Sequence, residues 1–347
     1  MSLLNGKQDN FFGMDIGSTA VRVVQLVGNG SNKSLKSYAY MPIDPKQALS
    51  DSKADQQKMS AAIKSLVNKA GLNTKNVAVN LPSNKVFTTV VDVERLSKEE
   101  LVKSIKYQAD SLIPTPIAES KIDWTVLGDS PQDKTKVELL LSSVPNNYAE
   151  SRLDLLEAIG LNVIAFEPDV MALTRAVIDP LAQDTQIIID MGHNSTDIVV
   201  ITNGNPRLSR SIPTGYEAII KAASQNLNID EAQARQFVNK FGLNEQKLEG
   251  QIYHAVSGTV DLLAVEIDKS IKFFNARYPD RKLDKMVVVG GASILPEFPL
   301  YLANRFKINV EISDSWRNVS YAADRRNELA AISNQFAVAV GLAERNE

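Results

Sequence analysis

Apolar and polar residues follow one another in short runs that predict strands and helices in turn. The runs at 11–17 and 21–28 are rich in apolar residues, several of them β-branched, and they end in glycine, so they predict two strands joined by a tight turn. Between 58 and 70, apolar residues recur at helical spacing, which predicts a helix that ends at Gly71. A further strand is predicted at 77–82. Short apolar strands that alternate with helices indicate an α/β fold.

A compact unit with its own pattern is predicted from 86 to 166, where three strands, two helices and a short last strand follow one another. Its first helix opens with Ser97 and Glu100 at the spacing of a capping box, in which each side chain bonds the other residue's backbone N–H. The prolines within 114–116 end that helix. The polar stretch at 128–136 is predicted to be a hairpin loop.

The second half of the chain is predicted to return to an α/β pattern. A largely helical stretch is predicted from about 215 to 278. An apolar strand then runs into Gly290 and Gly291 and a helix start. The C-terminal residues 328–347 are predicted to form one helix.

One short pattern occurs twice. The stretches FGMDIGSTAVRVVQL at 12–26 and IIIDMGHNSTDIVVI at 187–201 each place an aspartate at a strand end, before a glycine and small hydroxyl residues. Such a turn presents a concave row of backbone N–H groups that can hold phosphate oxygens. Because a carboxylate repels phosphate, Asp15 and Asp190 fit this role with hydrated Mg²⁺ between the two groups.

Two such turns, facing each other from duplicated domains, would clamp a magnesium nucleotide. A single turn of this kind is most often structural, so the prediction depends on the pair and on a third run, VVVGGAS at 287–293. The glycines of that run allow a flat nucleobase or ribose to approach closely. The sequence contains neither a Gly-x4-Gly-Lys-Ser/Thr phosphate loop nor a Gly-x-Gly-x-x-Gly turn after a strand.

Composition mainly excludes other classes of protein. The 347 residues suffice for two domains, and 38 basic against 41 acidic residues give no overall attraction to nucleic acid or an acidic membrane. The absence of cysteine and the presence of only two histidines disfavour a transition-metal enzyme. The N-terminal residues lack the features of a secretory signal, and no apolar run is long enough to cross a bilayer, so we expect a cytoplasmic protein.

The three motifs resemble the phosphate-1, phosphate-2 and adenosine motifs of the actin, Hsp70 and sugar-kinase superfamily. Within it, nearly the whole chain is similar to the PilM family, the cytoplasmic actin-like proteins of type IV pilus assembly. The stretch RLSKEELVKSIKYQADSLIPTPIAESKIDWTVL resembles the inserted subdomain 1C of that family, and GLNVIAFEPDVMAL resembles its connecting segment. The resemblance implies an actin-like (ribonuclease H-like) fold of duplicated domains that flank a nucleotide cleft, with an inserted FtsA-type 1C subdomain.

The resemblance also implies four subdomains and a set of site residues. Subdomain 1A would comprise 11–85, 165–182 and 325–347, 1C would comprise 86–164, 2A would comprise 183–214 and 279–324, and 2B would comprise 215–278. ATP and Mg²⁺ would bind in the cleft, with Asp15 and Asp190 holding the ion through water. The residues implied to contact the nucleotide are Asp15, Gly17, Ser18, Thr19, Arg22, Asp190, Gly192, Asn194, Ser195, Thr196, Gly215, Gly290, Gly291, Ala292 and Ser293.

Catalysis is the least defined part of the resemblance. Glu167 and Asp169 are candidates to orient an attacking water, or they are the acidic first turn of a helix. Tyr216 stands where the family tends to have a second glycine, and Gln233 and Gln236 stand where relatives have the Glu and Lys that contact ribose or base. The chain would be at most a slow ATPase, since phosphoryl transfer needs a positioned base.

Two further positions depart from the family's phosphate motifs. Arg22 replaces a common lysine and keeps its charge but not its compact ammonium. His193 lies within the second phosphate turn, where it contacts phosphate or caps the loop.

The favoured interpretation is an ATP-binding component of the type IV pilus inner-membrane assembly platform. It would bind the cytoplasmic N-terminal tail of a PilN-like bitopic protein between 1A and 1C, as an added strand or a docked extended segment. It would thus be cytoplasmic and peripheral to the inner membrane through its partner. Other platform components and the pilus motor ATPases are further candidate partners, whereas nucleic-acid binding and direct membrane insertion are not expected.

Three alternatives stay open at this point. They are a scaffold that has lost ATP binding, an FtsA-like filament-forming division protein and a small-molecule kinase. FtsA usually ends in a basic amphipathic membrane helix, and the last residues here, GLAERNE, do not form one. No dedicated catalytic aspartate of a kinase is evident in the first domain.

Overall fold

A computed structural model describes residues 10–28, 30, 32–48, 50 and 52–346, except for the side chains of 98 and 106–110. The strands are β1 (Phe12–Ile16), β2 (Ala20–Val27), β3 (Lys33–Pro42), β4 (Asn76–Leu81), β5 (Phe87–Glu94), β6 (Ser120–Asp129), β7 (Lys136–Pro145), β8 (Asn162–Pro168), β9 (Thr185–Met191), β10 (Thr196–Thr202), β11 (Asn205–Ile212), β12 (Leu283–Val289), β13 (Asn309–Ile312) and β14 (Val319–Ser320). The helices are α1 (Pro45–Ala48), α2 (Lys53–Lys69), α3 (Lys98–Leu112), α4 (Asn146–Glu157), α5 (Asp169–Val177), α6 (Tyr216–Leu227), α7 (Glu231–Phe241), α8 (Gln251–Arg277), α9 (Phe298–Phe306), α10 (Arg326–Ile332) and α11 (Ala337–Ala343). In these described ranges, no helix is both long and apolar enough to span a membrane.

Two sheets repeat one topology. The first has the order β14-β3-β2-β1-β4-β8 and the second the order β11-β10-β9-β12-β13. In each, a central strand pairs antiparallel with the next strand in sequence and parallel with the strand on its other side. The hairpins β1–β2 and β9–β10 therefore occupy equivalent places, which confirms the duplicated fold predicted from the repeated pattern.

Helices α5 and α11 lie between the two sheets and belong to one apolar core. That core joins Val24 of the first sheet, Ile188 of the second sheet, Leu173 of α5 and Val340 of α11. Helices α6 to α9 cover the outer face of the second sheet, and α2 and α4 cover the outer face of the first. We call the first sheet with α1, α2, α4, α5, α10 and α11 the first lobe, and the second sheet with α6 to α9 the second lobe.

The third sheet has the order β5-β7-β6 and packs against α3, and we call this unit the inserted sheet. The predicted capping box is present, since Ser97 N–H donates to Glu100 Oε2 at 3.0 Å and Glu100 N–H donates to Ser97 Oγ at 3.4 Å. The predicted hairpin loop joins β6 to β7. Because β6 is the last strand in the order, one of its edges pairs with no other strand of the described residues.

Strand pairing corrects two assignments made from the sequence. The strand β8, predicted to close the compact unit from 86 to 166, pairs parallel with β4 in the first sheet. Residues Val319 and Ser320 of β14, which fall within the range predicted for subdomain 2A, pair with β3 in the first sheet. In both cases a pairing distant in sequence, which local pattern does not reveal, decides where the strand lies. The boundaries of the four subdomains stay a prediction.

Two helix predictions are also corrected. After Gly291 the chain continues in turns, and α9 begins only at Phe298. The C-terminal residues form α10 and α11, separated by a 3₁₀ turn at 333–335. In that turn the Asn334 side chain donates to the Gly290 carbonyl at 2.9 Å and to Ser293 Oγ at 3.0 Å. The break therefore places Asn334 against the glycine turn that follows β12.

Candidate functional site

A cleft of about 940 Å³ lies between the two lobes. The two repeated turns line it, one from each lobe. In the first turn Gly17 N–H donates to the Ala20 carbonyl at 3.1 Å, and in the second Gly192 N–H donates to the Ser195 carbonyl at 3.0 Å. The turns thus have the same hydrogen bond and open into the same space.

Four carboxyl groups converge at this cleft: Asp15, Asp169, Asp190 and Asp197. Burial, followed by the charges of Asp197 and Asp15, raises the pKa of Asp190 to about 7. Burial, followed by the charges of Asp15 and Asp197, raises the pKa of Asp169 well above its usual range. Without a bound cation, the cluster therefore holds protons that an isolated aspartate would have lost.

Asn80, at the end of β4, fixes the position of two parts of the cleft. Its Oδ1 accepts from the Ile16 N–H at 2.7 Å, and its Nδ2 donates to Asp169 Oδ1 at 3.0 Å. Asn80 is buried, so these bonds form in a region of low dielectric where they are strong. The backbone after Asp15 and the carboxyl of Asp169 are thereby held in a fixed relation.

In the two copies of the repeat, the residues across the hairpin from the equivalent aspartates carry opposite charges. Arg22 lies opposite Asp15 across the first hairpin, and Asp197 lies opposite Asp190 across the second. Arg22 Nη1 donates to Asp15 Oδ2 at 3.1 Å, whereas Asp190 faces a second carboxyl. Asp197 Oδ1 is buried without a hydrogen-bond partner in the described residues. The excess negative charge of the cleft therefore lies on the side of the second lobe.

Glycine is required at the turn after β12. Gly290 has φ of +87°, and a Cβ there would lie 2.3 Å from Asp190 Oδ1. A side chain at this position would displace the carboxyl group. At Gly291 the nearest atom to such a Cβ is Gln335 Cγ at 3.9 Å, so the backbone there is open to the cleft.

Most of the predicted nucleotide-binding residues line the cleft, and three support it from behind. Thr196 Oγ1 donates to the Thr214 carbonyl at 2.7 Å, and Ser293 accepts from Asn334. Gly215 packs under the second turn, where a Cβ would lie 2.5 Å from the His193 carbonyl. The predicted residues that line the cleft are Asp15, Gly17, Ser18, Thr19, Arg22, Asp190, Gly192, Asn194, Ser195, Gly290, Gly291 and Ala292.

Of the two candidates to orient a water, Asp169 lines the cleft and Glu167 does not. Strand β8 ends at Pro168 and α5 begins at Asp169, so the two acids lie on opposite sides of the first lobe. Glu167 is buried and forms ion pairs with Arg175 and with Arg345, the latter at 3.3 Å. Its role in the structure is that of a counter-ion for these two arginines.

The far wall of the cleft consists of residues other than those predicted. Gln233 and Gln236 are exposed and do not line it, whereas Arg235 of the same helix does. The Arg235 guanidinium lies 5.6 Å from the Tyr216 ring centroid, and its Nη2 is 2.8 Å from Glu217 Oε2. Burial lowers the pKa of His193 in the second turn despite the nearby Glu217, so this imidazole is neutral at pH 7.

A second cavity, of about 820 Å³, lies between the first lobe and the inserted sheet. We call it the groove. The rim on the inserted sheet consists of β6, at 121–125, with its unpaired edge. Its apolar lining comprises Leu81, Val86, Ile122, Trp124, Leu140, Val144, Ala149, Leu153, Phe166, Pro168 and Met171. An apolar floor beside a free strand edge is the arrangement that captures extended peptides.

The raised pKa of Asp190 leads to a prediction about how the stability of the protein depends on pH. The folded state raises the Asp190 pKa from 3.8 to about 7, so its contribution to stability is complete below pH 4 and is lost as the pH rises through 7. We therefore expect Asp190→Asn to increase the free energy of unfolding of the metal-free protein by roughly 2 kcal/mol at pH 8, and by less at pH 5. Denaturant titrations in EDTA at both pH values measure this; an equal or larger gain at pH 5 would contradict it.

The chain is similar to known proteins, over about two thirds of its length in sequence and nearly all of it in structure. The FtsA cell division protein of Enterococcus hirae is 26% identical over 258 residues, which are 64% of this chain and 55% of that protein, so the chain spans about half the length of this curated relative. A solved PilM–PilN type IV pilus biogenesis complex has a TM-score of 0.84 and 22% identity, covering 98% of this chain and 99% of that one. MreB5 of Spiroplasma citri bound to AMPPNP has a TM-score of 0.56 and 13% identity, covering 97% and 95%.

These structural likenesses show that the fold is actin-like. The sequence goes further, since residues 13–347 match the profile of the family described as type IV pilus assembly protein PilM. That match covers nearly the whole chain. The chain therefore belongs to the PilM family of type IV pilus assembly proteins.

Proposed function

We propose that this chain is a nucleotide-binding adaptor of the type IV pilus assembly platform. It binds magnesium ATP in the cleft and the extended cytoplasmic tail of a PilN-like membrane protein in the groove. The observation that carries this proposal is the pair of equivalent turns, with Asp15 and Asp190 at equivalent strand ends on the two sides of one cleft. The likeness to an AMPPNP-bound MreB5 and to a PilM–PilN complex supports it.

The donor set of the cleft fits a hydrated magnesium ion. Its carboxyl oxygens are the ligand type that Mg²⁺ prefers, and Asp197 Oδ1 has no other partner among the described residues. In the described chain, no three acidic or histidine side chains form a cluster able to hold an ion directly. Asp15 and Asp190 would hold it through coordinated water. Once bound, the ion neutralises charge between the carboxyl groups and the phosphates.

The chain's own groups account for the rest of nucleotide binding. The backbone N–H groups of 18–19 and 193–195 would donate to phosphate oxygens, whereas those of Gly17 and Gly192 close the two turns. The open backbone at Gly291 and the planar groups of Tyr216 and Arg235 line the part of the cleft left for ribose and base. Both turns contribute N–H groups, so phosphate binding draws the two lobes together.

ATP turnover by this site is slow in our proposal. The acid best placed to orient a water is Asp169, at the start of α5. Its Oδ1 accepts from Asn80 Nδ2 at 3.0 Å, so this oxygen is held by a partner other than the attacking water. Phosphoryl transfer is slow without a group that positions the nucleophile.

The groove would receive the partner's tail as an extended segment. Main-chain groups of the tail would pair with the free edge of β6, and its apolar side chains would cover Leu81, Phe166 and Met171 on the floor. Lys121 and Glu150, paired at 3.3 Å on the rim, would limit where charged residues of the tail lie. Through this tail the chain would be peripheral to the inner membrane from its cytoplasmic side.

Calorimetric titration tests both halves of the proposal. Magnesium ATP, and separately a synthetic peptide of the entire PilN-like tail, are titrated into protein freed of nucleotide. We expect each to bind at one site with a micromolar or lower Kd. Peptide binding without ATP binding would instead identify a scaffold that has lost its nucleotide, and ATP binding without peptide binding would reject the groove as the tail site.

A further inference from the structure

A buried charge cluster joins the inserted sheet to the second lobe. Glu138 of β7 is 1% exposed. Its carboxylate accepts from Arg207 of β11 at 2.5 Å and from Arg277 of α8 at 2.8 Å. The hydroxyl of Tyr278 donates to the same carboxylate at 2.8 Å. We call Glu138, Arg207, Arg277 and Tyr278 the clasp.

The clasp reaches all three strands of the inserted sheet. Arg277 Nη2 also donates to Asp92 Oδ2 of β5 at 3.0 Å, and Arg207 Nη2 donates to the Leu127 carbonyl of β6 at 2.9 Å. Two arginines from the second lobe therefore balance two carboxylates of the inserted sheet. Breaking the contact would leave buried charges unpaired, so the sheet and the second lobe are expected to move together.

The other end of the inserted sheet forms the wall of the groove. On β7, Leu140, Ser142 and Ser143 line the groove, whereas Glu138 lies at the clasp. These positions are two to five residues from Glu138 and span roughly 7–16 Å of strand, so β7 connects the clasp directly to the groove. Its covalent connections to the first lobe are the segment 82–86 before β5 and the junction of β7 with α4.

This arrangement has a mechanical consequence. The cleft lies between the first and second lobes, and the groove lies between the first lobe and the inserted sheet. Any change in the angle between the lobes carries the inserted sheet with the second lobe, and so changes the width of the groove. Closure around a ligand is the common response of two lobes that share a site.

We propose that the clasp transmits nucleotide-driven closure of the cleft to the groove, so that nucleotide and tail alter each other's affinity. This inference rests on the proposed function, because it takes the nucleotide and tail as the two ligands. The coupling is reciprocal, since each ligand must change the affinity of the other by the same factor.

Two arginines on one strand provide a matched test. Arg207 and Arg210 both lie on β11, but Arg210 bonds Ser270 and Glu266 of α8, within its own lobe. Arg210→Gln is therefore the control for Arg207→Gln. We expect magnesium AMPPNP to change the Kd of the tail peptide at least five-fold in the wild type and in Arg210→Gln. In Arg207→Gln the change is expected to fall below two-fold, while each ligand alone still binds. Arg277→Gln provides a second variant of the clasp.

A distance measurement tests the transmission without the tail. The sequence has no cysteine, so Lys64→Cys on α2 and Val126→Cys on β6 give two unique sites for spin labels, and Val126 is 53% exposed. We expect AMPPNP to shift the label-to-label distance in the wild-type and Arg210→Gln backgrounds and not in Arg207→Gln. A shift that persists in Arg207→Gln and Arg277→Gln, or bound AMPPNP without a shift in the wild type, would overturn the inference.

The two measurements separate this inference from the proposed function. Failure of AMPPNP to bind would reject the nucleotide site and the coupling with it. Failure of the peptide to bind would reject the groove as the tail site, while the distance measurement would still decide whether the clasp transmits closure.

Discussion

Replacing Asp15 and Asp190 together by asparagine is expected to weaken magnesium ATP binding by at least about 100-fold. In the proposed site each carboxylate holds the hydrated ion by charge-assisted hydrogen bonds, and losing two such contacts would remove roughly 3–6 kcal/mol. Asparagine keeps the size of the side chain and removes charge from a crowded cluster, so the protein is expected to remain folded. Titration calorimetry with magnesium ATP measures the loss, and circular dichroism checks the fold.

Two controls test whether the loss of ATP binding is specific to the carboxylates of the cleft. Asp129→Asn changes an exposed carboxylate that pairs with Arg95 on the inserted sheet, and it should leave the Kd for ATP within two-fold of the wild type. Wild-type protein in EDTA should bind ATP as weakly as the double variant does. An unchanged Kd in the double variant would mean that the two aspartates do not hold the ion.

The duplicated fold was predictable because the repeat has a physical meaning. An aspartate at a strand end followed by glycine and small residues forms the same turn in both halves, with the same bond from Gly17 to Ala20 and from Gly192 to Ser195. The apolar runs on either side formed the predicted hairpins. Local pattern was sufficient wherever an element's neighbours are close in sequence, as in the capping box at Ser97.

Local pattern failed where a distant pairing decides the structure. The strand β8 is the next element after α4, and its local sequence does not indicate which sheet it joins. Only its pairing with β4 places it in the first sheet. The interruption of the C-terminal helix at 333–335 could not be predicted from the local sequence either, because it accompanies the hydrogen bond between Asn334 and the distant turn at Gly290. The sequence did not separate Glu167 from Asp169, because the change from strand to helix at Pro168 sends the two side chains to different sides of the first lobe.

Two cleft residues had a signal in the sequence that was not used. Asn80 is the polar residue of the otherwise apolar run VAVNLP, and a buried polar group of this kind needs a partner. Asp197 follows from the register of the second hairpin, since a turn after Asp190 that matches the first hairpin brings Asp197 opposite it, as Arg22 lies opposite Asp15. Arg235 had no comparable signal, because helical spacing alone does not show which face meets the cleft.

Replacing Leu153 by glutamate is expected to weaken binding of the tail peptide by about 100-fold. Leu153 lines the groove from α4, beside Ala149, whereas Ser151 and Arg152 on the same helix line the cleft. A carboxylate there removes apolar contact area and must lose its hydration when the tail covers it, a change of roughly 3 kcal/mol. Leu153 is partly exposed in the free protein, so the fold should tolerate the change. Titration with the tail peptide measures the effect.

The control for this variant is Leu300→Glu, which puts the same charge on α9 at a side chain that is 55% exposed and outside the groove. It should bind the peptide as the wild type does, and both variants should keep the wild-type Kd for ATP in the absence of peptide. Unimpaired peptide binding by Leu153→Glu would place the tail elsewhere. Loss of ATP binding as well would show that a charge on the groove side of α4 also perturbs the cleft on its other side.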